Sequence, residues 1–215
     1  YYIVKKLGEL DEVEIENYDS NVVYDIDTGE GKQEITIKYG GTSTTITVMN
    51  LASTLNGWEY EILENKIKIT NINYGNISNN FPIAVTIPEQ INGYDVTILD
   101  SALFKNRSEL YRVKLPSALT EIGSEAFYNC ISLSKVELSN VIETIGNSAF
   151  KNTNLGSIDL PESLLSIGDN SFENTKITEA YIPKNVNTIG YYAFAGCNIL
   201  KSATISKNIK KIGTG

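Results

Sequence analysis

No histidine occurs among the 215 residues of this chain. That absence excludes Ser-His-Asp and Cys-His catalytic sites, imidazole acid-base chemistry and histidine ligands for a metal. It leaves open only chemistry built on carboxylates, tyrosine or lysine. No apolar run approaches the ~20 residues that a membrane-spanning helix needs. We therefore expect a protein that is not an enzyme, with no catalytic residues, no cofactor, no metal site and no membrane span.

An excess of positive charge is also missing. Acidic residues outnumber basic ones by 26 to 18, which gives a formal net charge of −8. Contacts with phosphates need clustered lysine and arginine, so nucleic acid is not an expected partner. Apolar residues make up 41% of the chain and charged residues 20%, a composition that favours folded domains over disorder. The length predicts one or two such domains.

The sequence does contain an internal repeat, which begins near residue 98. Ile-Gly pairs recur at steps of 23, 22, 22 and 23 residues, and a phenylalanine follows five residues after each of the first four isoleucines. The pairs begin at Ile122, Ile145, Ile167, Ile189 and Ile212. The four phenylalanines are Phe127, Phe150, Phe172 and Phe194, and Phe104 extends their series backward by 23 residues. So dense an apolar pattern with a period of ~20–29 residues is typical of a leucine-rich-repeat solenoid.

The repeat predicts a β-rich solenoid made of right-handed coils of 22–23 residues. Each coil points its apolar side chains inward, where neighbouring coils bury them. An alternating apolar pair in each unit predicts a short strand, and stacked strands form a parallel sheet on one face. We expect the Ile-Gly-x-x-Ala-Phe segment to form a turn and a short helical turn on the opposite face. The strands should centre on Val113, Val136, Ile158, Ala180 and Ala203.

The repeat units resemble one bacterial family. The segments IGSEAFYNCISLSKVELS (122–139), IGNSAFKNTNLGSIDLP (145–161) and IGYYAFAGCNILKSATIS (189–206) are similar to the BspA-like leucine-rich repeat. This resemblance covers about half of the chain. It implies a cell-surface or secreted bacterial protein with a role in adhesion or protein interaction. Two alternatives stay open, namely an accessory binding region of a larger extracellular hydrolase and a purely structural spacer.

The region before the repeats is predicted to contain two parts. Residues 1–50 contain two alternating strands joined by Gly40-Gly41, which is a strong hairpin signal. The run at 24–48 resembles the last strands of bacterial immunoglobulin-like domains, so we expect a small, partial, all-β immunoglobulin-like domain. Residues 51–97 are predicted to form a linker and an N-terminal capping hairpin of the solenoid, because residues 58–70 alternate on both sides of a turn.

The repeats themselves occupy residues 98–215. The pattern is interrupted at its last unit without a visible cap, so we expect an array truncated at its C-terminus. Cys130 and Cys197 occupy equivalent positions three coils apart, roughly 14 Å at the usual strand spacing. A disulfide needs Cα atoms within about 7 Å, so both should be buried free thiols.

Outward-facing residues of the predicted strands are the candidates for partner binding. They form one column of Arg112, Lys135, Ser157, Glu179 and Ser202, and another of Lys114, Glu137, Asp159, Tyr181 and Thr204. We expect a protein or glycan ligand of the cell surface to bind a monomer around Glu137, Asp159, Glu179 and Tyr181, with Tyr181 as the aromatic anchor. Tyr191 and Tyr192 form a second candidate spot. The alternative is a solvated face whose opposite charges reduce self-association.

Overall fold

The computed structural model describes residues 58–63, 66–72 and 83–214 in full, and the backbone of five strands within residues 3–50. By its internal contacts the chain divides into two units, Tyr1–Asn50 and Leu51–Gly215. The regular elements in the described residues are strands, with no helix among them.

The first unit contains antiparallel strands. The strands are β1 (Ile3–Lys6), β2 (Val13–Glu16), β3 (Val23–Asp27), β4 (Lys32–Tyr39) and β5 (Thr42–Asn50). Strand β1 pairs with β2, and β4 pairs with both β3 and β5, all of them antiparallel. Strands β4 and β5 pair along their length, which confirms the hairpin predicted from the glycine pair. The immunoglobulin-like character of this unit stays a prediction.

The second unit contains the repeats, and short strands recur along it. They are β6 (Trp58–Leu63), β7 (Lys66–Ile72), β8 (Ile83–Thr86), β9 (Gln90–Ile91), β10 (Tyr94–Leu99), β11 (Leu110–Lys114), β12 (Glu121–Ile122), β13 (Lys135–Glu137), β14 (Thr144–Ile145), β15 (Ser166–Ile167), β16 (Glu179–Ile182), β17 (Thr188–Ile189), β18 (Ser202–Ile205) and β19 (Lys211–Ile212). Their pairing defines a β-solenoid with two strand-bearing faces.

The longer of these faces was not predicted from the sequence. Strands β7, β10, β12, β14, β15, β17 and β19 pair in parallel in this order, and we call them the Ile-Gly sheet. Most of its strands are two residues long, with the isoleucine facing the core and the residue before it facing solvent; in β19 the isoleucine, Ile212, is exposed. Strand β6 pairs antiparallel with β7 and extends the sheet at its N-terminal end. The inner residues Ile67 and Ile69 of β7 are fully buried beneath this hairpin.

The second face carries the strands that the repeat predicted, and we call it the ladder face. Strands β8, β11 and β13 pair in parallel, as do β16 and β18. Between these two sets, the segment around Ile158 forms no strand, so the prediction of a strand at this position is wrong. Bonds to the next coil lie just before it, from the N–H groups of Lys176 and Thr178 to the carbonyls of Leu155 and Gly156, and no ladder pairing is made at Ile158 itself. The ladder face is therefore two short sheets rather than one.

The core is built from columns of identical side chains. Phe104, Phe127, Phe150 and Phe172 are fully buried, as the repeat predicted. Their rings stack nearly parallel from coil to coil, with centroids 5.2, 5.2 and 5.4 Å apart. Phe194 continues the column at 5.1 Å but is only half-buried, because no further coil covers it in the described residues.

The segment after each Ile-Gly pair is a series of turns, so the predicted helical turn is wrong. A residue with left-handed φ stands in the middle of the segment in each coil, for example Glu125 at 58° and Ser148 at 55°. The backbone N–H of Phe127 donates to the carbonyl of Ala149 in the next coil, and other residues of the segment pair in the same way. Since these groups bond between coils, they are not available for the i→i−4 bonds of a helix.

A column of asparagines strengthens these turns. Asn106, Asn129, Asn152 and Asn174 all adopt left-handed φ between 57° and 63°, a conformation that asparagine tolerates better than most residues. The side-chain amides donate from coil to coil at 3.1, 2.6 and 2.8 Å. The column ends at Gly196, where a Cβ would collide with the Asn174 side chain.

Both cysteines are free, as predicted. Cys130 is fully buried, and its thiol donates to the carbonyl oxygen of Phe104 at 3.0 Å. This burial raises the pKa of the Cys130 thiol to about 12. Cys197 was also expected to be buried, but it is half-buried because it lies in the last described coil.

Candidate functional site

The structure places Glu137 at the centre of a small ion cluster on the ladder face. Its carboxylate lies 3.0 Å from Lys135 Nζ and 3.3 Å from Arg112 Nη2. The hydrogen bond from Lys135 is the main cause of the lowered pKa of Glu137. Because two cations already neutralise this carboxylate, Glu137 adds little free negative charge to the predicted binding surface.

The remaining predicted residues of the ladder face lie one and two coils further along. Glu179 and Tyr181 are exposed on β16, directly opposite Ser202 and Thr204 of β18. Tyr181 is 58% exposed, so more than half of this aromatic residue is open to solvent. Asp159 is exposed in the segment without a strand. The structure therefore brings Glu179 and Tyr181 together and separates them from Glu137 by one coil.

The two adjacent tyrosines, Tyr191 and Tyr192, do not form one spot. Tyr191 lines a groove on the Ile-Gly sheet, where its ring centroid lies 5.7 Å from Lys211 Nζ. Tyr192 borders a separate apolar cavity of about 210 Å³ at the end of the last coil, together with Phe194 and Ile205. We therefore treat the two as parts of different surfaces.

The groove beside Tyr191 was not recognised from the sequence. It has a volume of about 380 Å³ and runs along the stack between two columns of polar side chains. One column consists of Glu121, Thr144, Ser166, Thr188 and Lys211, and the other of Ser101, Ser124, Asn147, Asp169 and Tyr191. The alternation of an outward polar residue, a buried isoleucine and a glycine could have indicated it, but strands of two residues give too short a periodic signal.

Glycines form the floor of this groove because the coils approach too closely there for any side chain. A Cβ on Gly168 would lie 2.6 Å from the backbone nitrogen of Asn147, and a Cβ on Gly146 would lie 2.5 Å from that of Ser124. The side chains of the second column also bond across coils. Asn147 Oδ1 accepts from the N–H of Asp169 at 2.8 Å, and Asp169 Oδ1 accepts from the N–H of Tyr191 at 2.7 Å.

Charge is distributed unevenly along the repeats. Residues 180–215 contain five lysines and no acidic residue, although the whole chain is acidic. In the preceding coils most cations are paired, as in the 2.6 Å contact of Lys105 with Glu125 and the 2.7 Å contact of Lys151 with Glu173. No carboxylate of the described residues pairs with the five lysines, which are Lys184, Lys201, Lys207, Lys210 and Lys211.

Within the described part of the chain, no group of three or more acidic or cysteine side chains is arranged to hold a metal ion. The same part contains no helix long and apolar enough to cross a membrane.

Stacked coils, strand-bearing faces and an inward column of leucine, isoleucine and phenylalanine define a leucine-rich-repeat solenoid. The model of the BspA-type leucine-rich repeat region matches residues 97–215 in six copies, so the chain belongs to this family. Among curated proteins, none matches the chain.

Two solved structures support this assignment. The leucine-rich repeat protein of T. pallidum is similar at a TM-score of 0.65 and 27% identity, over 75% of this chain and 81% of that one. A leucine-rich repeat protein from Bacteroides ovatus is similar at a TM-score of 0.63 and 29% identity, over 71% of this chain and 40% of that one. The likeness extends to bacterial leucine-rich repeat proteins of different lengths.

Proposed function

We propose that this chain is a non-catalytic binding module of a bacterial cell-surface or secreted protein, and that a protein or glycan partner binds its ladder face. Membership of the BspA-type repeat family supports a role in binding. Repeat solenoids present extended surfaces on which outward residues can vary while the inward columns stay fixed. The chain follows this rule, since the column through Glu137 and Tyr181 varies from a lysine through two carboxylates to a tyrosine and a threonine.

The observation that carries the proposal is the exposure of Tyr181. Its ring stands on β16 beside the carboxylate of Glu179 and opposite the hydroxyl of Thr204. An aromatic side chain surrounded by polar groups is the usual composition of an interface hot spot. Glu179 and Asp159 give this area a negative character, which favours a partner with basic groups.

The test uses an array of immobilised extracellular-matrix proteins and mucin. After a binding protein on the array is found, Tyr181→Ala combined with Glu179→Ala should weaken its binding at least tenfold, or about 1.4 kcal/mol. The matched control is Tyr192→Ala, which removes an exposed tyrosine outside the ladder face. Unchanged binding after the substitutions at positions 181 and 179, or loss only after the control substitution, would place the partner on another surface.

A further inference from the structure

The groove on the Ile-Gly sheet has the dimensions of a ligand site. Its volume of about 380 Å³ falls within the ~300–1,000 Å³ of small-molecule sites. It reaches from Ser101 to Gly213, which is five coil steps, and at the ring spacing of 5.1–5.4 Å this is roughly 26 Å. An extended chain of several repeating units fits this shape better than a compact molecule does.

The groove offers side-chain groups but no free backbone donors of its floor glycines to such a chain. The N–H of each floor glycine is already used, as in the bond from Gly146 to the carbonyl of Ile122 at 2.8 Å and from Gly190 to that of Ile167 at 2.8 Å. A peptide that adds a strand to a sheet needs free backbone donors as well as acceptors. These glycines supply no free donor, so an added peptide strand does not fit.

The walls instead present hydroxyls at coil intervals. Thr144, Ser166 and Thr188 follow one another in the first wall, each directly opposite the next in the parallel pairing. Their mutual bonding is weak, since Ser166 Oγ lies 3.5 Å from Thr144 Oγ1. Hydroxyls can both donate and accept, which suits the hydroxyls of a sugar chain.

The C-terminal end of the groove supplies an aromatic ring and positive charge. The ring of Tyr191 is 46% exposed, and Lys211 Nζ lies 5.7 Å from its centroid. Lys211 has no carboxylate partner among the described residues. At the opposite end, Glu121 is exposed. Asp169 lies between them, with Oδ1 accepting from the Tyr191 N–H.

From these observations we infer that the groove binds an acidic oligosaccharide. Sugar hydroxyls bond to the column of Thr144, Ser166 and Thr188, and a sugar ring packs on Tyr191. A carboxylate or sulfate of the ligand pairs with Lys211. The acidic group lies at the lysine end, because Glu121 and Asp169 lie toward the other end of the groove and repel it. This site is separate from the ladder face and does not depend on the partner proposed there.

The experiment is titration calorimetry of the full chain with three hexasaccharides: one from hyaluronan, which carries carboxylates, one from heparin, which also carries sulfates, and neutral chitohexaose. We expect at least one acidic hexasaccharide to bind at least tenfold more tightly than chitohexaose, and its binding to weaken with added salt. Binding of the hyaluronan hexasaccharide identifies the carboxylate as sufficient, whereas binding of the heparin hexasaccharide alone identifies the sulfate as required.

Three variants locate the site. Lys211→Glu, Tyr191→Ala and Thr188→Val should each weaken binding of the acidic hexasaccharide at least fivefold, with unchanged circular dichroism. Lys201→Glu makes the same change of charge outside the groove, and Tyr181→Ala removes the tyrosine of the ladder face. Both should leave binding within twofold.

Several results would overturn the inference. They are no binding at millimolar hexasaccharide, equal binding of chitohexaose, and equal loss in Lys201→Glu and Lys211→Glu. If a hexaglutamate peptide bound as tightly as the acidic hexasaccharide, the groove would recognise negative charge rather than a sugar chain. Loss of hexasaccharide binding in Tyr181→Ala with retention in Tyr191→Ala would move the site to the ladder face.

Discussion

Replacing Phe150 with alanine is the most direct test of the stacked core. The ring is fully buried and lies between two others, 5.2 Å from Phe127 and 5.4 Å from Phe172. Phe→Ala substitutions in cores cost ~3–5 kcal/mol through lost transfer energy and the cavity that remains. Each stacked aromatic pair adds ~0.5–1.5 kcal/mol beyond burial. We therefore expect the upper part of the range, about 5 kcal/mol.

Two comparisons separate stacking from simple burial. Phe194→Ala removes the ring at the end of the column, which is half-buried and has one stacked neighbour, so it should cost about 2 kcal/mol. Phe150→Leu keeps most of the apolar volume and loses the stacking, so it should cost about 1–2 kcal/mol.

Urea unfolding followed by far-ultraviolet circular dichroism gives these free energies. The fluorescence of Trp58, the one tryptophan of the chain, reports separately on the β6–β7 hairpin. The assignment of Phe150 to an interior column would be refuted by a cost below about 1 kcal/mol. Equal costs at positions 150 and 194 would refute the argument that neighbouring coils set the magnitude.

Four further predictions concern the turns, the glycines and the cysteines of the coils. Asn152→Ala should cost about 2 kcal/mol in urea unfolding, because it removes two amide bonds and strains a left-handed residue, and Asn152→Gly, which relieves the strain, should cost clearly less. Gly168→Ala should lower the free energy of unfolding by at least about 2 kcal/mol, since its Cβ would lie 2.6 Å from backbone atoms. Gly156→Ala should change stability little, because the nearest atom to its Cβ would be 3.9 Å away. Similar costs for the two substitutions would contradict the close approach of the coils at Gly168. Iodoacetamide should modify Cys197 faster than Cys130 in the folded protein, as mass spectrometry would measure, and equal rates would contradict the burial of Cys130. The pKa of Cys130 is raised from 9.0 to about 12, so the stability it contributes is complete below about pH 9 and is lost as the pH rises toward 12; Cys130→Ala should flatten that decline.

The sequence was sufficient to predict the interior of the solenoid. Period and residue type identify the columns, and burial of Phe127, Phe150 and the isoleucines follows because a stack of equal coils repeats each position at the same depth. The backbone conformation of the turn segments was harder to predict from the sequence. Nothing in the residue types of Glu125 or Tyr192 favours left-handed φ, and yet both adopt it. Backbone bonds between coils compensate for this strain, and such bonds are invisible in a linear pattern.

The candidate sites were predictable only in part. The outward columns of the ladder face follow from strand alternation, which places Glu179 and Tyr181 together. The neutralisation of Glu137 depends on the reach of Arg112 from the adjacent coil, and the distance between those two side chains is set by packing. The groove forms where neighbouring coils approach closely enough to require glycine, and the spacing of the glycines in the sequence does not by itself predict that approach.

The bonds between coils also set the steps in which such a protein can evolve. Each interior coil contacts both neighbouring coils through backbone hydrogen bonds, a stacked phenylalanine ring and an asparagine amide, and the neighbours carry the same groups at the same positions. Duplication or deletion of one full repeat in the gene therefore leaves every remaining interior group satisfied. An insertion of a few codons inside a repeat would instead shift the asparagine and glycine columns out of line. The length of the array can change by whole coils through recombination, while outward residues change one at a time by point mutation.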